Sequence, residues 1–185
     1  HNCCLVNIKD MLENGTVING TAVKNIKSFR VACTVMTQII ASIASGQFGG
    51  QSVNIKHLGK YLKIAEDKYY STLGETLSGE ELTNTVKLLM QQELKDGVQT
   101  IQYQINTISC SNGQTPFVTL FLELDEKDEY LDYTAQIIYE ILRQRYEGVM
   151  NEFNTIVTPT FPKLIFALDE NNIHKDSKFR YIYDM

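Results

Sequence analysis

Few side chains in this chain are suited to chemistry, and they lie far apart. Cys3 and Cys4 are adjacent, within Asn2-Cys3-Cys4-Leu5-Val6. In an extended strand neighbouring residues point to opposite faces, so only one of these thiols can serve a given side. Either one of them is a reactive thiol at a pocket, or both are small buried hydrophobes. A second candidate is the loop Asn112-Gly113-Gln114. Gly113 permits positive φ, and Gln114 offers donors and an acceptor, which suits a plain turn or an active-site loop. A third is a polar stripe of Lys27, Thr34, Gln38 and Ser45, at intervals of seven, four and seven residues. On a helix, Lys27 and Gln38 would project in nearly the same direction, about three turns apart. Such a stripe fits a polar ligand, a partner helix, or the solvated side of a core helix. His57 and His174 have no carboxylate or cysteine at metal-ligand or triad spacing, and both read as surface residues. No P-loop, GxGxxG, HExxH or CxxC occurs, so the chain holds no conventional metal site or complete catalytic constellation.

The 185 residues suffice for one domain with a real core. A net charge of −5 argues against a nucleic-acid binder. No apolar run approaches a membrane span and no signal peptide opens the chain. The four cysteines, Cys3, Cys4, Cys33 and Cys110, do not have the spacing of a disulfide framework, which points to a reducing, cytoplasmic setting. The first residue is not Met, and the sequence reads as a piece of a longer protein.

The elements that must position these residues follow from periodicity. A strand is expected over His1–Ile8, with turns at Asn14-Gly15 and Asn19-Gly20. The organising stretch is Asn25–Ser52, a long helix running into a glycine-rich turn. Its core stripe is Val31, Ala32, Val35, Met36, Ile39, Ile40 and Ile43, with Gly46 at the helix C′ position. Asn54 caps a second helix that ends at Gly74. Ser78 and Glu81 fit a capping box that opens a third helix, reaching about Ser109, with Gly97 as a bend. Phe117–Leu124 and Lys163–Leu168 read as buried strands, separated by a helix over Lys127–Phe153. The tail after Asn171 is polar and weakly patterned. Short strands alternating with long helices predict an α/β fold with parallel strands, as one unit over residues 1–185.

Four motifs together resemble one family. They are Asn2-Cys3-Cys4-Leu5-Val6, Ile43-Ala44-Ser45-Gly46-Gln47-Phe48-Gly49-Gly50, Asn112-Gly113-Gln114-Thr115-Pro116-Phe117-Val118-Thr119 and Phe161-Pro162-Lys163-Leu164. In this order they resemble the anaerobic, class III ribonucleoside-triphosphate reductases, which are glycyl-radical enzymes. The resemblance implies part of the first half of a ten-stranded α/β barrel. The Met-Gly-Cys-Arg finger-loop segment, the zinc-binding cysteines and the glycyl-radical loop of that family are not in this sequence. The piece alone is therefore expected to be inactive and to bind no cofactor.

In that family a radical-SAM iron–sulfur activating protein generates the glycyl radical, which passes to the finger-loop cysteine. That cysteine takes hydrogen from ribose C3′, water leaves from C2′, and formate is the usual reductant. Cys3 matches the family's cysteine on the first barrel strand. Its implied role is to donate at C2′ and then pair transiently with the finger-loop sulfur, while Cys4 faces away into packing. Asn112 and Gln114 fall on the implied active-site loop. Lys27, Gln38 and Lys68 match a specificity site at the homodimer interface, where ATP or a deoxynucleoside triphosphate selects the base to be reduced. Lysines suit phosphate oxygens, and a glutamine suits a base edge or sugar. Lys24 stands where some relatives have an acidic residue. The implied partners are a ribonucleoside triphosphate, a nucleotide effector, the activating protein and a second copy of the chain, without nucleic acid or membrane. The alternative is a noncatalytic nucleotide-binding or dimerisation module of the same α/β fold.

Overall fold

The computed structural model describes residues 3–46, 49–111 and 113–185. Strand β1 (Cys4–Leu5) leads into helix α1 (Ile8–Glu13), where the Asn7 side chain accepts the Asp10 amide. That cap satisfies a donor the first turn leaves without a helical partner. The first strand is thus shorter than expected: Ile8 already begins the helix, and His1 and Asn2 lie outside the described residues. A hairpin of β2 (Thr16–Ile18) and β3 (Thr21–Val23) follows. Its turn residues Asn19 and Gly20 have φ of 49° and 77°, the positive values a type I′ turn requires.

Helix α2 spans Phe29–Gly46, four residues shorter at its start than the expected stretch. Asn25 has φ 55°, a left-handed conformation that a right-handed helix cannot contain, and the backbone bond from Ala32 N to Ser28 O at 3.0 Å marks the start of the helix. Lys27 therefore precedes α2, and the helical stripe joining it to Gln38 does not form. Ala32, Val35, Met36, Ile39 and Ile40 are buried as the spacing predicts, whereas Val31 is 48% exposed and Ile43 is half-buried. By length and composition alone α2 could cross a membrane, but half of it is buried within this fold.

The next element, β4 (Gln51–Asn54), is a strand that the apolar pattern does not announce. Asn54 then caps a short 3-10 turn (Ile55–Leu58), accepting the Lys56 amide at 3.0 Å, and α3 (Gly59–Leu73) ends at Gly74 as expected. Helix α4 spans Gly79–Thr107. Ser78 holds the N-cap position, but its side chain makes no capping bond, so the expected box with Glu81 does not form. Strand β5 (Val118–Leu122) precedes α5 (Leu131–Glu147), which is shorter than expected at both ends. Gly148, with φ 74°, stops it, and Val149 enters a small hairpin of β6 (Val149–Met150) and β7 (Ile156–Val157). Strand β8 (Lys163–Phe166) is followed by α6 (Glu170–Ile173), which does open with a capping box, at Asp169. The tail is more structured than its composition indicates: α7 (Arg180–Asp184) buries Ile182, and Phe179 just before it is also buried.

The four main strands form one parallel sheet in the order β1-β4-β5-β8. Parallel neighbours need crossover connections, and the helices supply them. The α/β expectation is met in this sheet. β5 buries Val118, Leu120 and Leu122 at alternate positions. β8, expected to be buried, is an edge strand with Lys163 and Ile165 exposed.

Helices α2 and α4 run side by side in the same direction. Thr37 Oγ1 donates to Gln104 Oε1, and farther along Ser111 N donates to Ser45 Oγ at 3.2 Å. Gly97 makes their approach possible. A Cβ there would sit 2.3 Å from Phe29 Cε1 and 3.2 Å from Cys33 Sγ, so this glycine serves close contact within an uninterrupted helix and not a helix break. Gly97→Ala should destabilise the fold. Overpacking costs about 1–3 kcal/mol, against about 1 kcal/mol gained in helix propensity. Urea unfolding should show a lower midpoint; one at or above the wild-type value would mean that the ring moves aside freely.

Candidate functional site

Sheet register places the thiol. Cys4 pairs with Gln51, Gln51 with Val118, and Thr119 with Lys163. One residue before Cys4, Gln51 and Val118, and two before Lys163, the residues Cys3, Gly50, Phe117 and Phe161 form a single row across the N-terminal ends of the sheet. Residues in one row share a face. Backbone bonds fix the row: Cys4 N donates to Gly50 O at 3.0 Å, and Gln51 N to Phe117 O at 2.9 Å. The rings of Phe117 and Phe161 meet at 5.3 Å between centroids. Gly50 lies between Cys3 and Phe117, where a Cβ would be 3.0 Å from Phe117 Cδ1 and 3.9 Å from Cys3 Sγ, so a larger residue would press on the Phe117 ring. Cys3 is exposed and Cys4 is half-buried, in keeping with opposite faces. Beneath the row, buried Gln51 donates to Ile40 O at 2.8 Å, while its Oε1 has no partner among the described residues.

The loop before β5 is a closed turn. Cys110 N donates to Gln114 O at 3.0 Å and Gly113 N to Cys110 O at 2.8 Å, with Gly113 at φ 76°. Ser111 Oγ donates to Ser45 O at 3.2 Å, tying the turn to the end of α2. Gln114 is exposed at the thiol end of the sheet; Asn112 lies outside the described residues, as do Gln47 and Phe48.

Lys27 and Lys68, from separate elements, line one cleft of about 250 Å³ together with Ser28, Arg30, Tyr69 and Glu93. Both lysines are exposed, and neither has a carboxylate partner among the described residues. Gln38 is not in this cleft; it lies on the exposed side of α2, about 12 Å beyond Arg30 at 1.5 Å per residue. The floor is Glu93, 4% exposed. Its Oε1 accepts Ser28 Oγ at 3.4 Å and the Arg30 amide at 3.3 Å. Its Oε2 pairs with Arg30 Nε at 2.9 Å and accepts Tyr69 Oη at 3.1 Å. Burial, and then Glu93, push the Tyr69 phenol up, so it stays a neutral donor. The arrangement can hold a polyanion over a saturated carboxylate. Sequence reasoning missed Arg30, Tyr69 and Glu93. A signal existed: Glu93 interrupts the apolar stripe of Val86, Met90, Gly97 and Ile101 on α4.

A larger cleft of about 430 Å³ lies beyond the C-terminal ends of β4 and β5, beside α1. Two of its lysines are paired: Lys60 with Glu13 at 2.9 Å, and Lys56 with Glu123 and Asp125, each at 3.0 Å. His57, expected at the surface, is half-buried here. Burial first, then Lys56 and Lys9, push its pKa down. No group of three or more potential metal ligands exists among the described residues.

The sequence profile of a family described as "Anaerobic ribonucleoside-triphosphate reductase" matches residues 1–185. Proteins of that name are similar to the chain. The one from Enterobacteria phage T4 is 35% identical over 179 residues, covering 95% of this chain and 28% of its own length. The one from Haemophilus influenzae is 32% identical over 170 residues, covering 90% and 23%. The one from Escherichia coli is 33% identical over 187 residues, covering 97% and 24%. The chain therefore spans about a quarter of the length of the curated relatives it matches.

The thiols themselves provide a test. Cys33 and Cys110 are buried, and burial followed by the Glu93 charge holds the Cys33 pKa well above the usual thiol range. Since the thiolate is the reactive form, Cys33 should be inert in the folded protein. An aromatic disulfide reagent should show one fast thiol, absent from Cys3→Ser, with Cys33 and Cys110 reacting only on unfolding. A fast phase that survives Cys3→Ser would assign the open face to Cys4.

Proposed function

The chain belongs to the anaerobic ribonucleoside-triphosphate reductase family, and we propose that it is one piece of such an enzyme, carrying a reactive thiol and a nucleotide-effector site. The observation that carries this reading is the family match over residues 1–185. The complete enzyme reduces ribonucleoside triphosphates to deoxyribonucleoside triphosphates for DNA synthesis, by glycyl and thiyl radical chemistry, in the cytoplasm. Residues 1–185 form a single α/β unit, and the parallel sheet is part of the first half of a ten-stranded barrel. The glycyl radical, formate as reductant and the activating radical-SAM protein act through other parts of the enzyme. Structural zinc belongs there too.

Cys3 supplies the thiol that donates at ribose C2′, with Cys4 directed into packing. The row of Gly50, Phe117 and Phe161 supports this role: it leaves Cys3 exposed on a face whose backbone is held by hydrogen bonds. Asn112 and Gln114 belong to the active-site loop beside it. Lys27 and Lys68 hold the effector triphosphate, and Gln38 reads the base or sugar where the same helix of a second copy completes a twofold interface. The shared cleft supports the lysines' joint role, and the exposure of Gln38 on α2 leaves it available to an interface. A ligand between two copies of one helix can influence both active sites.

In the complete enzyme, Cys3→Ser should abolish deoxynucleotide formation, measured with labelled substrate. Lys27→Ala and Lys68→Ala should each weaken effector binding by roughly tenfold to a hundredfold, the loss of one charge-assisted hydrogen bond. Gln38→Ala should blur which base is reduced when substrates compete. Calorimetric titration checks the lysines, and unchanged affinity in both would remove the cleft from the effector site.

A further inference from the structure

We propose that Arg30 is a third cation of the effector cleft, binding the triphosphate directly, and that Glu93 and Asp96 act as positioning residues that hold its guanidinium ready. This rests on the reading of the cleft as a nucleotide site. The geometry motivates it: Arg30 lines the same cleft as Lys27 and Lys68, and only part of its guanidinium is engaged by carboxylates.

Arg30 opens α2 and reaches across to α4. Its Nε lies 2.9 Å from Glu93 Oε2, and its Nη2 lies 2.9 Å from Asp96 Oδ2. These contacts use one edge of the guanidinium. A guanidinium has five donors in a rigid plane, so the end bearing Nη1 remains. No acceptor takes Nη1 among the described residues. The side chain is 46% exposed and lines the cleft that Lys27 and Lys68 share.

Glu93 does not compete for this role. It accepts hydrogen bonds from Ser28, Tyr69 and the Arg30 amide, pairs with the Arg30 guanidinium, and is almost wholly buried. A carboxylate so engaged neither meets a phosphate nor lets the arginine swing away. Its effect is to fix the side chain before ligand arrives, so that binding loses less conformational freedom. Asp96 restrains the other nitrogen of the same edge. The nucleotide thus meets two mobile lysines and one pre-set arginine, and the arginine gives the site its directional, bidentate contact.

The test uses the complete reductase, titrated calorimetrically with ATP and, separately, with inorganic tripolyphosphate. Arg30→Ala alone would leave Glu93 charged, buried and unpaired, which can unfold the protein. The comparison is therefore between Glu93→Gln and the double variant Arg30→Met with Glu93→Gln, so that loss of the carboxylate is common to both. The double variant should bind both ligands at least about tenfold more weakly than Glu93→Gln, with a similar melting temperature. Affinities within twofold of each other would overturn the inference. Arg30→Lys provides a second reading should the double variant not fold: it keeps the charge but loses the fork, and should also bind more weakly, with equal affinity counting against Arg30. Lys27→Ala and Lys68→Ala separate the two levels of the proposal. If either weakens binding and the Arg30 variants do not, only the role of Arg30 fails; if neither changes binding, the cleft and the inference fail together.

Discussion

The close contact of Phe29 with Gly97 sets the geometry around it. A helix pair in which a full phenyl ring fills the place of a side chain can approach only where the partner residue has none. One turn before Gly97 on α4 comes Glu93, and the residue after Phe29 on α2 is Arg30. The packing that buries the ring thus also brings the carboxylate to the start of α2, where it accepts both the Arg30 backbone amide and its guanidinium. An apolar contact and an ionic one share the same backbone approach, so neither can be altered without the other. Buried charge is tolerable here because each oxygen of Glu93 is fully engaged.

The thiol row depends on a different constraint, the register of a parallel sheet. Cys3, Gly50, Phe117 and Phe161 come from four distant parts of the chain and meet because the register aligns them, one residue before β1, β4 and β5 and two before β8. The row and the cationic cleft are joined through α2. Its first turn borders the cleft, and its last turn is bonded through Ser45 to the loop that leads into Phe117. A displacement at one end of this helix has a direct mechanical path to the other.

Much of this was legible in the sequence where local rules decide. The core stripe of α2, the Asn19-Gly20 turn, the stop at Gly74 and the alternation of helices with parallel strands all follow from spacing and turn chemistry. Strand β4 was not legible. Gln51-Ser52-Val53-Asn54 has one apolar residue, and Gln51 is buried through a hydrogen bond to Ile40 that periodicity cannot express. The placement of Lys27 on a helical stripe failed because the pattern ran on through Asn25, whose left-handed backbone ends any helix. Lys27 and Lys68 nevertheless share a cleft, by tertiary packing and not by helical spacing. Glu93 was visible only as a charge in an apolar stripe, and nothing local says which arginine will answer it.

The strand order has a further consequence. β1 and β8 have a sheet neighbour on one side only, and each is short, with Leu5 83% and Ile165 36% exposed. Their outer edges therefore present backbone donors and acceptors with apolar side chains alongside, the pattern that recruits further strands. Neither edge is shielded by its own hairpin, because β2-β3 and β6-β7 form separate ribbons. Left uncovered, these two margins would be the places where copies of the segment adhere to one another. Covered by additional strands, they are the seams along which the sheet continues.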